Sequence, residues 1–158
     1  MKDELKAFEK IMDLLDQVMA KMGSMHLSPH DFGTSVLLYR AEIHTIRAIG
    51  ENTGINVTRL AEDMGVTKGA VSQTITKLVR KGLVRKTFAE YDAKEVHPEL
   101  TELGWIGFHN HQQFHMSMFD TVREYFGDEL EAKLEMFITV MQDLNGILTK
   151  YEEEEKKG

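Results

Sequence analysis

Residues Val57 to Lys86 read VTRLAEDMGVTKGAVSQTITKLVRKGLVRK. Leu60, Ala61 and Met64 space a short helix that starts at Val57 or Thr58. Gly65 suits a turn that needs a left-handed backbone. Thr67 suits the N-cap of a second helix, whose apolar stripe is Val71, Ile75, Leu78 and Val79. Gly82 ends that helix, and Leu83 to Phe88 reads as a strand. Two short helices, a tight turn and a strand are the layout of a helix-turn-helix entering a wing. Seven lysines and arginines stand here against Glu62 and Asp63, so the segment carries +5. The formal net charge of −7 leaves −12 for the rest of the chain. A basic island on an acidic chain is the electrostatic footprint of a site for a phosphate backbone.

Outward from this segment the pattern is helical. On the N-terminal side, Leu5, Phe8, Ile11, Met12, Leu15, Val18, Met19 and Met22 predict an amphipathic helix over 3–22, interrupted or bent at Gly23, Ser24 and Ser28-Pro29. Ile43, Ile46 and Ile49 predict a helix over 40–50. On the C-terminal side, Glu95 to Leu100 reads as a second strand across the loop 89–94, and Pro98 demotes it to an edge or short strand. Thr101 then caps a long helix to about Phe126, Gly127-Asp128 breaks it, and a last helix runs to about Tyr151 before a solvated, fraying tail. The fold class is mostly α with a small β wing (α+β): a winged helix-turn-helix over 36–100, with 1–35 and 101–158 as a helical dimerisation region. The first, fifth and sixth helices have wide apolar faces and little core of their own, so two copies packing them together would bury them. A monomeric bundle is the alternative.

Composition limits the rest. With 158 residues, 42% hydrophobic and 28% charged, the chain is an ordinary soluble one of a single domain with helical extensions. No apolar run approaches the roughly 20 residues of a membrane span, and MKDELKAFEK is no signal peptide, so no membrane partner and a cytoplasmic location are expected. The absence of cysteine excludes disulfides, thiol redox sensing and thiolate metal ligation.

If the second helix of the motif lies in a major groove of double-stranded DNA, its outward residues are Lys68, Gly69, Ser72, Gln73, Thr76 and Lys77. Gln73 can pair bidentately with adenine, and Lys68 can donate to guanine. Ser72, Thr76 and Lys77 can position the helix on phosphates, and Gly69 lets the backbone approach closely. Arg59, Arg85, Lys86 and Lys94 complete the candidate DNA-binding set, with Lys86 and Lys94 at the base and far side of the wing. The competing reading of each polar residue is a solvated face.

His111 and His115 are spaced i, i+4 and fall in the same helical arc as Phe108, Met118, Phe119 and Val122. Buried imidazoles need partners for their ring nitrogens, and one divalent cation serves two of them at this spacing. Spacing alone serves equally a pair of interface histidines bonded to carbonyls or carboxylates. His109 points the other way and is expected in solvent.

Residues 38 to 104 resemble the MarR (multiple antibiotic resistance regulator) family of winged-helix transcription factors. The resemblance rests on the helix from Arg40, Leu60-Ala61, Val66-Thr67, Val71-Ser72, Leu78, Lys81-Gly82-Leu83-Val84, Asp92, Leu100-Thr101 and Gly104. It implies a homodimer on a pseudo-palindromic operator, acting as a transcriptional regulator and in most cases a repressor. Two positions depart from it. The wing has Asp92-Ala93-Lys94 where the family has Asp-x-Arg, which keeps the charge but loses the planar fork. Pro98 also stands where the family has a residue with a free N–H.

One branch of the family senses zinc. By its register the ligands here are His26, His44, His111 and His115, which implies one Zn2+ per protomer, although imidazoles also suit nickel, copper and cobalt. The branch typically has glutamate where this chain has His26. Its second site would fall on Phe32, Ile43 and Asn110, two of which bind no metal, so one site is expected. Glu42, His30 and Asp31 are candidates to join or support it. Metal joining these elements would fix the spacing of the two recognition helices, and the resemblance implies that zinc acts as co-repressor.

A regulator responding instead to a small aromatic or acidic ligand is the alternative. An architectural DNA-binding protein with no effector is another. An enzyme is not expected: there is no HExxH, Gln112, Gln113 and Phe114 lie between the paired histidines, and no nucleophile has an adjacent base.

Overall fold

The structure is a computed structural model. It describes residues 2–27, 29–89 and 92–156, without the side chains of 24–27, 89 and 92–94. In order, the elements are α1 (Lys2–Leu27), α2 (Arg40–Glu51), α3 (Val57–Asp63), α4 (Lys68–Arg80), β1 (Val84–Ala89), β2 (Asp92–Leu100), α5 (Glu102–Phe126), a 3-10 turn (Gly127–Glu129) and α6 (Leu130–Glu155). They fall into two compact units, Met1–Gln113 and Phe114–Gly158.

The motif that opened the sequence reading forms as its local chemistry dictates. Asn56 caps α3, its Oδ1 accepting from Arg59 N at 2.8 Å. Gly65, at φ +64°, makes the turn. Thr67 caps α4, accepting from Ala70 N at 3.2 Å. Val71, Ile75 and Leu78 are fully buried. Val79, placed on the same stripe by sequence, is exposed instead. At 100° per residue it lies roughly 80° round from Val71 and falls off the edge of the buried arc. Ile43, Ile46 and Ile49 of α2 pack with Leu60 of α3 and the α4 stripe into one core, closed by Leu83, Val84, Leu100 and Phe108.

The two-stranded sheet is antiparallel, pairing Val84 with Leu100 and Lys86 with Pro98. β2 starts at Asp92, three residues before its predicted start. Proline is accommodated for a geometric reason. Leu83 O accepts from Thr101 N, so the hydrogen-bonded pairs alternate through Arg85–Glu99 and Thr87–His97. Lys86–Pro98 is then a pair whose backbone groups point away from each other, and the missing N–H costs nothing in the ladder. Thr101 caps α5, accepting from Gly104 N at 3.1 Å and donating to Gly82 O at 2.7 Å.

Two helices outrun their predicted ends. α1 continues through Gly23 and Ser24 to Leu27, where an interruption was expected. A glycine in a helix costs only about 1 kcal/mol relative to alanine, too little to stop a long one. α6 runs to Glu155, so most of the acidic tail predicted to fray is helical, consistent with the good helix propensity of glutamate.

In the first unit the apolar residues of α1 are uncovered: Leu5, Phe8, Ile11, Val18, Met19 and Met22 are all exposed. In the second unit the same holds for Met118 and Phe119 of α5 and for Leu134, Phe137, Ile138, Met141 and Leu148 of α6. Among the described residues no helix is long and apolar enough to cross a membrane.

Candidate functional site

The outward face of α4 is built from the residues that the buried stripe leaves over. Lys68, Gly69, Ser72, Gln73, Thr76 and Lys77 are all exposed, as are Arg59, Arg85 and Lys86. Thr67 fixes where the helix begins, and therefore where Lys68 and Ser72 stand. Gly69 has open space around it. Lys68, Ser72 and Lys86 meet Asn56, Thr58 and Glu95 around a cleft of about 390 Å³ between α3, α4 and the wing. Lys86 Nζ reaches Thr76 Oγ1 at 3.4 Å and ties the wing base to the helix. The side chain of Lys94 lies outside the described residues.

The seven basic residues of this segment are not equivalent. Lys81 turns inward: its Nζ lies 2.7 Å from Glu42 Oε2 and donates to Leu37 O at 2.8 Å. Glu42 is buried and also accepts from Tyr39 N, so this carboxylate holds α2 to the end of α4. Arg59 pairs with Asp63 at 3.0 Å and Arg85 with Glu99 at 2.8 Å, both on exposed surface. Such pairs are weak and exchange readily for a phosphate. Among the described residues, Lys68, Lys77, Arg80 and Lys86 form no ion pair.

Sequence reasoning did not find the tethers of the wing. Asn56 Nδ2 donates to Glu95 Oε1 at 2.6 Å. His97 Nδ1 lies 2.8 Å from Gly54 O, and since a carbonyl only accepts, Nδ1 carries the proton. An asparagine just ahead of a helix was a visible capping signal. Its second bond, to a residue 39 positions away, left no local trace.

Of the four histidines matched by register, the structure brings two together. His111 is 3% exposed on α5 and His44 is half-buried on α2. Their ring centres are 5.6 Å apart at 72°. Two imidazoles on one tetrahedral zinc, each about 2 Å from the ion through nitrogen, hold their ring centres roughly 5 Å apart. The two rings meet edge to face at a spacing close to that value. His26 is in the last turn of α1, but its side chain lies outside the described residues. His115 is half-buried and belongs to the second unit. Among the described residues no group of three or more metal-binding side chains forms. His109 is exposed, as expected, and stacks on Trp105.

Phe32, Ile43 and Asn110 are the positions to which the resemblance assigned the zinc-sensing branch's second site. Asn110 Nδ2 donates to Phe32 O at 2.8 Å and locks the turn in which Phe32 and Gly33 have positive φ. Asp31 accepts from Gly33 N in that turn, and His30 bridges to Leu38.

A buried three-helix core with an outward helix beside a two-stranded wing defines a winged helix-turn-helix protein. Residues 38–95 match the model described as MarR family. The uncharacterized HTH-type transcriptional regulator YhjH of Bacillus subtilis (strain 168) is 31% identical over 114 residues, 72% of this chain. The match spans 65% of that relative's length. Among solved structures, Streptococcus pneumoniae FabT in complex with DNA superposes with a TM-score of 0.74 at 21% identity, over 89% of this chain and 99% of FabT. Lactococcus lactis ZitR, a zinc-responsive MarR family member, gives 0.67 at 20% identity, over 87% of this chain and 97% of ZitR.

Proposed function

We propose that the protein is a MarR-type transcriptional regulator that binds double-stranded DNA as a homodimer and changes its DNA affinity when His44 and His111 take up a divalent metal. The observation that carries the DNA reading is the unpaired basic and polar face of α4. Lys68, Ser72 and Lys86 converge there beside the wing, on a chain that is acidic elsewhere. FabT, of the same fold, is a DNA-bound structure. In this reading Gln73 and Lys68 read base edges, while Thr76, Lys77 and Lys86 hold phosphates.

The metal reading is carried by the 5.6 Å separation of the His44 and His111 rings. It is supported by the fold shared with zinc-responsive ZitR. His26 and His115 are the further candidate ligands by register, with zinc as the first metal to test. His44 lies on the helix that Lys81 and Glu42 join to the end of α4. An ion held by His44 would therefore bias the position of α4, and an ion that prefers one state of the protein shifts the population toward it. By family resemblance the bound state is the repressing one.

The test is a zinc titration of metal-stripped protein, followed by binding to a duplex that the protein itself selects from a randomised pool. One tight equivalent per protomer is expected, lost in His111→Ala and His44→Ala, with DNA affinity raised by zinc only in the wild type. Zinc uptake indifferent to both substitutions would remove the metal reading and leave the DNA reading standing. Failure of the wild type to select any duplex would remove the latter.

A further inference from the structure

We infer that Asn56 and Glu95 form a latch that sets the wing for DNA, making both of them positioning residues for the interface proposed above. The inference rests on the DNA-binding reading.

The sheet changes register beyond its inner part. Regular pairing runs only from Val84–Leu100 to Phe88–Val96, and the register then jumps to Ala89–Asp92. Glu95 stands where the ladder gives out. At that point Asn56 Nδ2 donates to Glu95 Oε1 at 2.6 Å, a short bond to an ionised acceptor. Asn56 serves two masters with two atoms, because its Oδ1 is occupied by Arg59 N at the start of α3. The wing is thereby tied to the same residue that fixes α3. A second tether, His97 Nδ1–H to Gly54 O, lies two residues further along β2.

The placement of the latch carries the functional argument. It lines the cleft shared by Lys68 and Ser72 of α4 and Lys86 of β1. A carboxylate facing that cleft opposes DNA through its charge. Yet its bond to Asn56 ties β2, just beyond its regular pairing, to the start of α3 beside the recognition helix. The two effects have opposite signs, which makes them separable. If Glu95 were only a misplaced charge, its removal would tighten DNA binding. As a latch, its removal loosens the wing and weakens binding.

The experiment measures affinity for the self-selected duplex across a salt series, for wild type, Glu95→Ala, Asn56→Ser and the double variant. Serine keeps the cap on α3, but its hydroxyl is one bond shorter than the asparagine amide and does not reach Glu95. Each single variant is expected to bind about tenfold more weakly, as for loss of a hydrogen bond to a charged group, and the double variant no more weakly than the worse single one. The slope of log affinity against log salt is expected to fall by about one, the mark of one lost phosphate contact. Tighter binding by Glu95→Ala, or additive losses in the double variant, would overturn the latch while leaving the DNA reading intact. A wild type that binds no duplex would overturn both.

Discussion

Gly104 shows how a single position on α5 is fixed by something a linear reading does not reveal. A Cβ there would run into the backbone carbonyl oxygen of Leu83, and would press on Leu100 at 3.2 Å. The same carbonyl accepts from Thr101 N, so it cannot swing away without losing a bond at the sheet–helix junction. Gly104→Ala is therefore expected to cost about 2 kcal/mol, as overpacking at a rigid neighbour does, read as a lower urea midpoint at unchanged slope. Lys81 teaches a related lesson. By sequence it belongs to a basic island, yet its ammonium sits on a carboxylate that is 5% exposed. Lys81→Ala strands that carboxylate and is expected to cost about 3 kcal/mol. Glu42→Gln combined with Lys81→Met removes the buried charge, keeps an acceptor for Tyr39 N, and should recover most of that loss in the same urea measurement. A pair 39 residues apart leaves no periodic signal, which is why the role of Lys81 was hidden while the helix-spaced histidines were legible.

Among the elements, those with their own local grammar were readable and those decided by tertiary context were not. The α3–α4 motif carries a cap, a left-handed glycine and a stripe within thirty residues, and it formed with its ends where those signals stand. The end of α1 had only Gly23 and Ser24 to mark it, weak penalties that a long helix absorbs. β2 began earlier than its apolar alternation, because Asp92 pairs with Ala89, a contact made by the partner strand and not by side-chain pattern. The cap of α4 gives the test at this scale. Thr67→Ala leaves Ala70 N unsatisfied and is expected to cost about 1 kcal/mol in thermal or urea unfolding. Because Lys68 is the next residue, DNA affinity should fall with it. Thr67→Ser, which keeps the oxygen, should restore both. A recognition helix indifferent to its cap would show only the stability change.

At the scale of the whole molecule, each unit carries exposed apolar helix faces, and the homodimer proposed above would cover them. Phe8 on α1 and Phe137 on α6 are 58% and 62% exposed, each within a run of exposed Leu, Ile and Met. Monomeric proteins rarely expose continuous apolar patches of this extent, and a second copy of the same chain offers the same faces in return. Dimerisation also bears on DNA. Two recognition helices on one duplex bind as a linked pair, which exceeds either half-site by a factor on the order of 10² to 10⁴ without any new contact. Phe137→Glu is far in sequence from every residue of the DNA face and adds a charge to the surface that a partner would cover. Wild type is expected to sediment as a dimer at micromolar concentration and the variant as a monomer. Helical content should be kept, and affinity for the self-selected duplex should fall by about 10³. Loss of DNA binding in a variant that remains dimeric would place the defect in the helix itself. A wild type that sediments as a monomer while binding DNA at full affinity would mean that these faces serve something other than pairing of two copies.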